Sequence, residues 1–469
     1  MDKETFRKHG HEFIDWLADY FENIEQYPVK PDVQPGDIIR QLPTAPPIKG
    51  ESMDDIFRDF KEKIIPGMTH WQHPGWMAYF PANNSPASVL GELLTAGLGA
   101  QCMIWQTSPA AAELEERVMD WLRQMIGLPE TFTGVIQDSA SSATLAALLT
   151  AREKVTGLQS NQKGIQQKLR VYASTEAHSS IEKAVKIAGY GRENLVIIPT
   201  DEAFAMIPDA LEKAIEEDLK AGYRPACVVA AIGSTSSMAM DPVDAIGDIC
   251  RKHKVWLHVD AAFAGTAAVV PEMRGFMKGI EKADSLVFNP HKWMLTNFDC
   301  SAFFVQDPGM LIQTFEVHPE YLKTAADKQV KNYRDWGIPL GRRFRALKLW
   351  FVIRSYGVEG IQAFVKEHVR LAAIFAEWMK KDPRFEILAP VQLSLVCFRL
   401  NPGGLDEDQL NELNKRFLEK INSVGAVFLT HTSLKGKYTL RLAIGSRLTT
   451  EKHVAKAWDI IRQVADEML

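Results

Sequence analysis

Residues 227–260 read CVVAAIGSTSSMAMDPVDAIGDICRKHKVWLHVD. The run Cys227–Ile232 is apolar throughout. Val243–Lys254 then carries apolar residues at helical spacing, and a second apolar run, Val255–Val259, ends at Asp260. Short runs without polar alternation are strands buried on both faces, and a helix between two of them is a crossover connection. The same pattern continues outward. Gly134–Ile136, Leu169–Ala173 and Leu195–Pro199 precede it, with a helical stretch over Ile207–Gly222. Ser285–Phe288 and Ser301–Val305 follow it. This predicts an α/β fold with a mostly parallel sheet covered by helices on both faces. Ligands in such sheets bind at the carboxyl ends of the strands, so the chemistry is sought just after each run.

Five strand ends carry reactive side chains. After Ser285–Phe288 comes Asn289-Pro-His-Lys-Trp293. A lysine there is either a surface residue or a desolvated amine of lowered pKa, able to form a Schiff base with a carbonyl. Asp260 ends its strand and is followed by Ala261 and Ala262. A helix cap is the common fate of such an aspartate, and pairing with a buried cation is the other. Gln137-Asp-Ser-Ala-Ser-Ser142 runs from a strand into a helix start, which suits either a plain serine cap or a single phosphate. It has neither G-x-G-x-x-G nor a Walker lysine, so no nucleotide is specified. His178, in Ser174-Thr-Glu-Ala-His178, and Thr235 are ambiguous singly. Together these residues supply an amine, an acid for a pyridine nitrogen, a phosphate cradle and a stacking ring. That is the set pyridoxal 5′-phosphate (PLP) chemistry requires.

The flanks read differently. Phe6, Phe13, Leu17, Phe21 and Ile24 form one helical stripe, a proline-rich connector spans Pro28 to Pro47, and a second helix starts at Ser52. Two such helices on an extended arm are expected to need another surface to bury their stripes. After Gly341 a helix over Arg343–Tyr356 precedes runs at Phe385–Leu388 and Leu393–Phe398. A helix near Asp406–Ser423, a hairpin of Ala426–Thr430 with Tyr438–Ile444, and a last helix over Thr450–Met468 complete a small α+β unit.

The composition narrows the function. Among 469 residues the charge is −5, which gives no positive field to hold nucleic acid or an anionic membrane. No run approaches the ~18 apolar residues of a membrane span. The N-terminus is charged from Asp2 and does not suit a secretory signal. Five scattered cysteines with no C-x-x-C pair exclude a disulfide framework and a cysteine zinc site, and no H-E-x-x-H is present. A reducing, cytoplasmic setting and no metal are expected.

Four motifs carry a family resemblance: His-Trp-Gln-His-Pro at 70–74, His-Val-Asp-Ala-Ala at 258–262, Asn-Pro-His-Lys-Trp at 289–293, and Asp-Trp-Gly-Ile-Pro-Leu-Gly-Arg-Arg-Phe-Arg at 335–345. From end to end the chain resembles the group II PLP-dependent decarboxylases of fold type I, the aspartate aminotransferase-like fold. Within them it is most similar to the aromatic-L-amino-acid decarboxylases. The resemblance implies that Lys292 binds the cofactor covalently, Asp260 pairs with the ring nitrogen, and His178 stacks opposite Ala262. Ser139, Ala140, Ser141, Asn289 and His291 would hold the phosphate, with Thr235 near the ring oxygen. Trp71, Tyr79, Phe80 and Pro81 would line an aromatic pocket. A partner subunit would add Gln101 and Met103, and Gly341 would leave room for an indole. Tyr321, in a polar segment at 316–331 expected to be a mobile lid, would supply the proton after loss of CO2.

The expected organisation is an N-terminal dimerisation arm (1–72), a large PLP-binding domain (73–346) and a small C-terminal domain (347–469), assembled as a homodimer with shared sites. The expected reaction is decarboxylation of tryptophan, tyrosine, dopa or 5-hydroxytryptophan to the amine. An aldehyde synthase or aminotransferase on the same scaffold is the alternative, and a silent nucleotide-binding module is a third reading.

Overall fold

The computed structural model describes residues 1–317 and 329–469. Tyr321 and most of the expected lid lie outside the described residues. The central layer has seven strands: β1 (Thr133–Gln137), β2 (Leu169–Ser174), β3 (Leu195–Ile198), β4 (Arg224–Ala231), β5 (Trp256–Asp260), β6 (Ser285–Phe288) and β7 (Ser301–Val305). Their order is β1-β7-β6-β5-β4-β2-β3. Only β7 runs antiparallel, to β1 on one side and β6 on the other. All seven coincide with the apolar runs read from the sequence. The central strands are so thoroughly covered that Val228, Ala230, Leu257, Val259, Leu286 and Phe288 are completely buried, as helices on both faces require.

The parallel strands β2, β4, β5 and β6 all end at one edge. Because β7 is antiparallel, it begins at that edge. The amide of Cys300 donates to His291 Nδ1 (2.9 Å) and Ser301 Oγ donates to Asn289 Oδ1 (2.7 Å). The reverse strand thus fixes the residues that follow β6.

The second layer is antiparallel: β8 (Phe385–Ile387), β9 (Leu395–Leu400), β10 (Thr430–Leu434) and β11 (Lys437–Ala443), in the order β10-β11-β9-β8. Two expectations are corrected here. The hairpin's first arm is 430–434 rather than 426–430. Leu434 pairs with Lys437 across Lys435 (φ 50) and Gly436 (φ 83), a two-residue turn that requires positive φ at both positions. Residues before it are diverted to the segment around Trp76, whose neighbour Met77 donates to the Phe428 carbonyl (3.1 Å). The helix expected to stop at Tyr356 resumes after Gly357 (φ 64, ψ 172) and runs on within Arg345–Lys380. Its first half packs on the Pro86–Leu98 helix. Its second half places Leu371, Phe375 and Met379 in the core of the small sheet.

In the arm, Asp2 caps the Lys3–Glu22 helix and Ser52 caps Met53–Asp59. The stripes of these helices are expected to need another surface, either this chain's core or a second subunit, and the two helices partly cover each other. Phe13 lies 4.5 Å from Phe57 and Trp16 5.2 Å from Phe60 between ring centroids. The proline-rich connector holds one regular turn, Asp37–Gln41. What stays bare is the face of the Pro86–Leu98 helix, where Leu90, Leu93, Leu94 and Leu98 are 47–66 % exposed. No described helix is long and apolar enough to cross a membrane.

Candidate active site

A cavity of about 270 Å³ opens at the carboxyl edge of the large sheet. Its lining includes Ser139, Ala140, Ser141, His178, Thr235, Asp260, Ala262, Asn289, His291, Lys292 and Phe80. Every residue expected to touch the cofactor is therefore in one cavity, although they come from five separate strand ends.

Lys292 follows β6 in the short helix Pro290–Trp293. Its pKa is lowered by burial, with the opposing attraction of Asp260 second. The lysine therefore approaches the neutral state that nucleophilic attack needs. The ring of Phe80 lies 5.8 Å from its Nζ. Phe80 stacks on Phe263 (4.1 Å), Phe263 on Trp293 (4.5 Å), and Trp293 donates through Nε1 to His368 Nδ1 (2.9 Å). This buried aromatic column stands beside the amine.

Asp260 accepts from the Ala262 amide (3.0 Å) through one oxygen. The small side chain of Ala262 leaves the cavity open above it. His178 accepts the Ser180 amide at Nδ1 (3.2 Å), so the neutral ring carries its proton on Nε2. Burial lowers its pKa, and Asp260 opposes that shift more than Lys292 reinforces it.

Ser139 does what a plain cap does, accepting from the Ser142 amide (3.2 Å) at the start of the 17-residue helix Ala140–Thr156. That helix start, with the amides of Ala140 and Ser141, faces the cavity as an anion site. Asn289 uses Oδ1 on Ser301, which leaves its amide N–H groups for the cavity. His291 accepts at Nδ1, and burial lowers its pKa to about 3, so it presents a neutral Nε2–H donor. A lysine amine, a carboxylate and a cradle of neutral donors fit an aldehyde, a pyridine nitrogen and a phosphate respectively.

Other expected residues lie elsewhere. Trp71 and Tyr79 stack on each other (5.9 Å) at the surface, and Pro81 is buried against the Gly445 turn. Gln101 accepts from the Arg342 amide (2.8 Å), and a side chain at Gly341 would meet Gln101 Nε2 at 3.2 Å. Gln101, Met103 and Gly341 are absent from the lining of this chain's own cavity. Arg441 is spent on structure: it donates to the Ser236 carbonyl, the Tyr79 carbonyl and Thr430 Oγ1.

Six lining residues are additional to those expected from the sequence. Ala231, Gly233 and Ser234 lie next to Thr235 at the end of β4, and Ser180 lies two residues beyond His178. Phe263 follows Ala262 directly, and Phe298, 63 % exposed, has its ring 4.2 Å from His291. A bulky aromatic in the polar stretch Thr296-Asn-Phe-Asp299 was the available signal.

The family model described as the pyridoxal-dependent decarboxylase conserved domain matches residues 35–401. The chain is 46% identical to phenylacetaldehyde synthase of Arabidopsis thaliana, with 100% of this chain and 97% of that protein covered. It is 44% identical to tryptophan decarboxylase 2 of Oryza sativa subsp. japonica, with 100% and 96% covered. Among solved structures it is similar to Oryza sativa TDC with PLP and tryptamine. There the TM-score is 0.97 at 36% identity, covering 100% of this chain and 99% of that one.

Proposed function

The chain belongs to the pyridoxal-dependent decarboxylase family, and we propose that it converts aromatic L-amino acids to arylalkylamines and CO2 at the Lys292 cavity. The observation that carries the reading is Lys292, a buried amine at the end of β6, in one cavity with Asp260 and the donors at Ser139–Ser141, Asn289 and His291. Relatives that act on an indole and that form a phenyl product both align over the whole chain, which supports an aromatic substrate.

Bound there, PLP supplies an electron sink for the pair left when the carboxyl carbon departs. The protein's part follows from its residues. Lys292 would hold the cofactor's aldehyde carbon through Nζ and later displace the product. Asp260 would keep the pyridine nitrogen protonated, an electrostatic contribution placed where charge develops. His178 would cover the ring face opposite Ala262. The 139–141 amides, Asn289 and His291 would fix the phosphate, while the Phe80–Phe263–Trp293 column keeps water from the amine. Tyr321, by resemblance, would deliver a proton to Cα.

The second reading is an aldehyde synthase, favoured by the 46% identity to phenylacetaldehyde synthase. Product analysis with tryptophan, tyrosine, dopa, 5-hydroxytryptophan and phenylalanine separates the two. Amine and CO2 support decarboxylation; aldehyde, ammonia and hydrogen peroxide support the synthase. Tyr321→Phe should move product from amine to aldehyde. If that variant makes amine at the wild-type rate with no aldehyde, Tyr321 is not the proton donor.

The same reading divides the chain at 1–72, 73–346 and 347–469, with the arm as a dimerisation element. A homodimer is supported by the bare leucines of the Pro86–Leu98 helix and by Gln101, Met103 and Gly341 standing apart from the chain's own cavity. A cytoplasmic setting is supported by five unpaired cysteines.

A further inference from the structure

Beside the cavity runs a short buried chain of hydroxyls. Ser234, which lines the cavity next to Thr235, accepts the Ala239 amide at Oγ (3.2 Å). Its Oγ lies 2.9 Å from Ser237 Oγ, and Ser237 Oγ donates to Glu176 Oε2 (2.9 Å). Glu176 stands on the connection after β2, two residues before His178. The turn that carries the serines is otherwise fixed. Gly233 and Ser234 both donate their amides to the Ala239 carbonyl (2.9 and 3.0 Å). Gly233 has φ 78, and a side chain there would strike Ala264 Cβ at 2.4 Å. From the small sheet, Arg441 Nε donates to the Ser236 carbonyl (3.2 Å) and Thr432 Oγ1 donates to Ser236 Oγ (3.1 Å). With the backbone held from both sides, the hydroxyl protons are what can turn.

We propose that Glu176 is a positioning residue whose carboxyl sets which way the Ser234 hydroxyl faces the cavity. A carboxylate only accepts. Ser237 must then donate to it and Ser234 to Ser237, so Ser234 turns its proton away from the cavity. A carboxyl that carries its proton can donate to Ser237, the chain reverses, and Ser234 can donate inward. The inference rests on this cavity being the PLP and amino-acid site, where the phosphate and the substrate carboxylate are anions that favour an inward donor. Burial raises the Glu176 pKa, against the hydroxyls of Ser237 and Ser234. Asp241, itself pushed up to about 6 by burial, faces it with like charge, and the Cys397 thiol, pushed up to about 12, faces it uncharged from pH 5 to 9. Arg441 stands beyond Ser236 and His178 along its own connection.

The test is the affinity of the full-length, cofactor-free protein for PLP, read by equilibrium dialysis from pH 5 to 9. No amino acid is present, so the result is independent of the substrate assignment. The cofactor's own titration is common to every protein and cancels in the ratio of variant to wild type. Relative to Glu176→Gln, which keeps the chain without titrating, wild-type affinity should weaken as pH rises, by roughly 2–10-fold for one hydrogen bond. Ser237→Ala, which cuts the chain and leaves Glu176 in place, should behave as Glu176→Gln and serves alone if that variant does not fold. KM for tryptophan should follow the same pH trend with kcat nearly constant. Ratios that stay constant from pH 5 to 9, or a change confined to kcat, would overturn the proposal.

Discussion

At the residue scale, the strand ends were legible because each reactive side chain follows a run whose burial is dictated by its own composition. Lys292 is the sharpest case. An amine buried here holds its proton less tightly than a free lysine does, with Asp260 opposing the shift. Lys292→Ala should abolish the visible absorbance of the cofactor-loaded protein and lower turnover by at least roughly 10²–10⁴-fold, the range for losing a proton-transfer group alone. Wild-type turnover in that variant would show that another amine does the work. Gly341 is a different kind of residue. In this chain it faces Gln101 rather than Lys292, so the proposed part in specificity would require a second subunit. Gly341→Ser should move preference from tryptophan toward tyrosine by roughly 10–200-fold, as a small volume change in a pocket does. The ratio of the two kcat/KM values is the measurement, and an unchanged ratio rejects the role. Phe298 stands out as an aromatic in a polar loop, but without a period or a partner in the sequence that signal does not assign it to the cavity.

At the element scale, all seven strands of the large sheet could be read from apolar runs; six are buried on both faces, which leaves one composition to choose from, and the edge strand β3 is apolar although Ile197 is exposed. The small sheet was harder. Its hairpin register depends on the positive φ at Lys435 and Gly436, and the diversion of 426–429 depends on a segment more than 300 residues away. The 36-residue helix Arg345–Lys380 was cut short for a related reason: Gly357 breaks the period, and helix resumes on its far side. The crossing of this helix with Pro86–Leu98 depends on Gly91. A Cβ there would come 2.8 Å from Lys348 Cα, a contact no rotamer relieves. Gly91→Ala should therefore destabilise by about 1–3 kcal/mol, despite the better helix propensity of alanine. Thermal unfolding with and without PLP checks this, and a Tm equal to or above wild type would mean the helices slide apart freely.

At the scale of the whole molecule, two outcomes are expected. A leucine face exposed at 47–66 % on Pro86–Leu98 suits burial between two copies. Leu93→Asp with Leu94→Asp should give a monomer in sedimentation velocity with little turnover, whereas an active dimer would place the interface elsewhere. The second outcome concerns acid. Burial holds His73 near 4 and His258, His291 and His368 near 3, all below the unfolded value of about 6.5. As pH falls below 6.5 the unfolded chain takes up protons that the folded chain refuses. The stability these groups contribute is therefore complete above pH 6.5 and lost from there toward 4 and 3. Tm should be flat from pH 8 to 7 and fall steadily below 6.5. A constant Tm down to pH 4.5 would show that these rings protonate in the folded state. The arm's stripe is a weaker argument for assembly than the sequence alone suggests, because its helices spend some of it on each other through Phe13 and Phe57.

The column Phe80–Phe263–Trp293 has an optical consequence. Trp293 is fully buried and adjoins Lys292 in sequence. Its emission should be blue-shifted and should pass by energy transfer to a chromophore held at the neighbouring amine. The protein thereby carries a built-in gauge of its own loading, readable without substrate. The difference in fluorescence between the wild type and Trp293→Phe, taken during titration with PLP, isolates that signal from the other ten tryptophans.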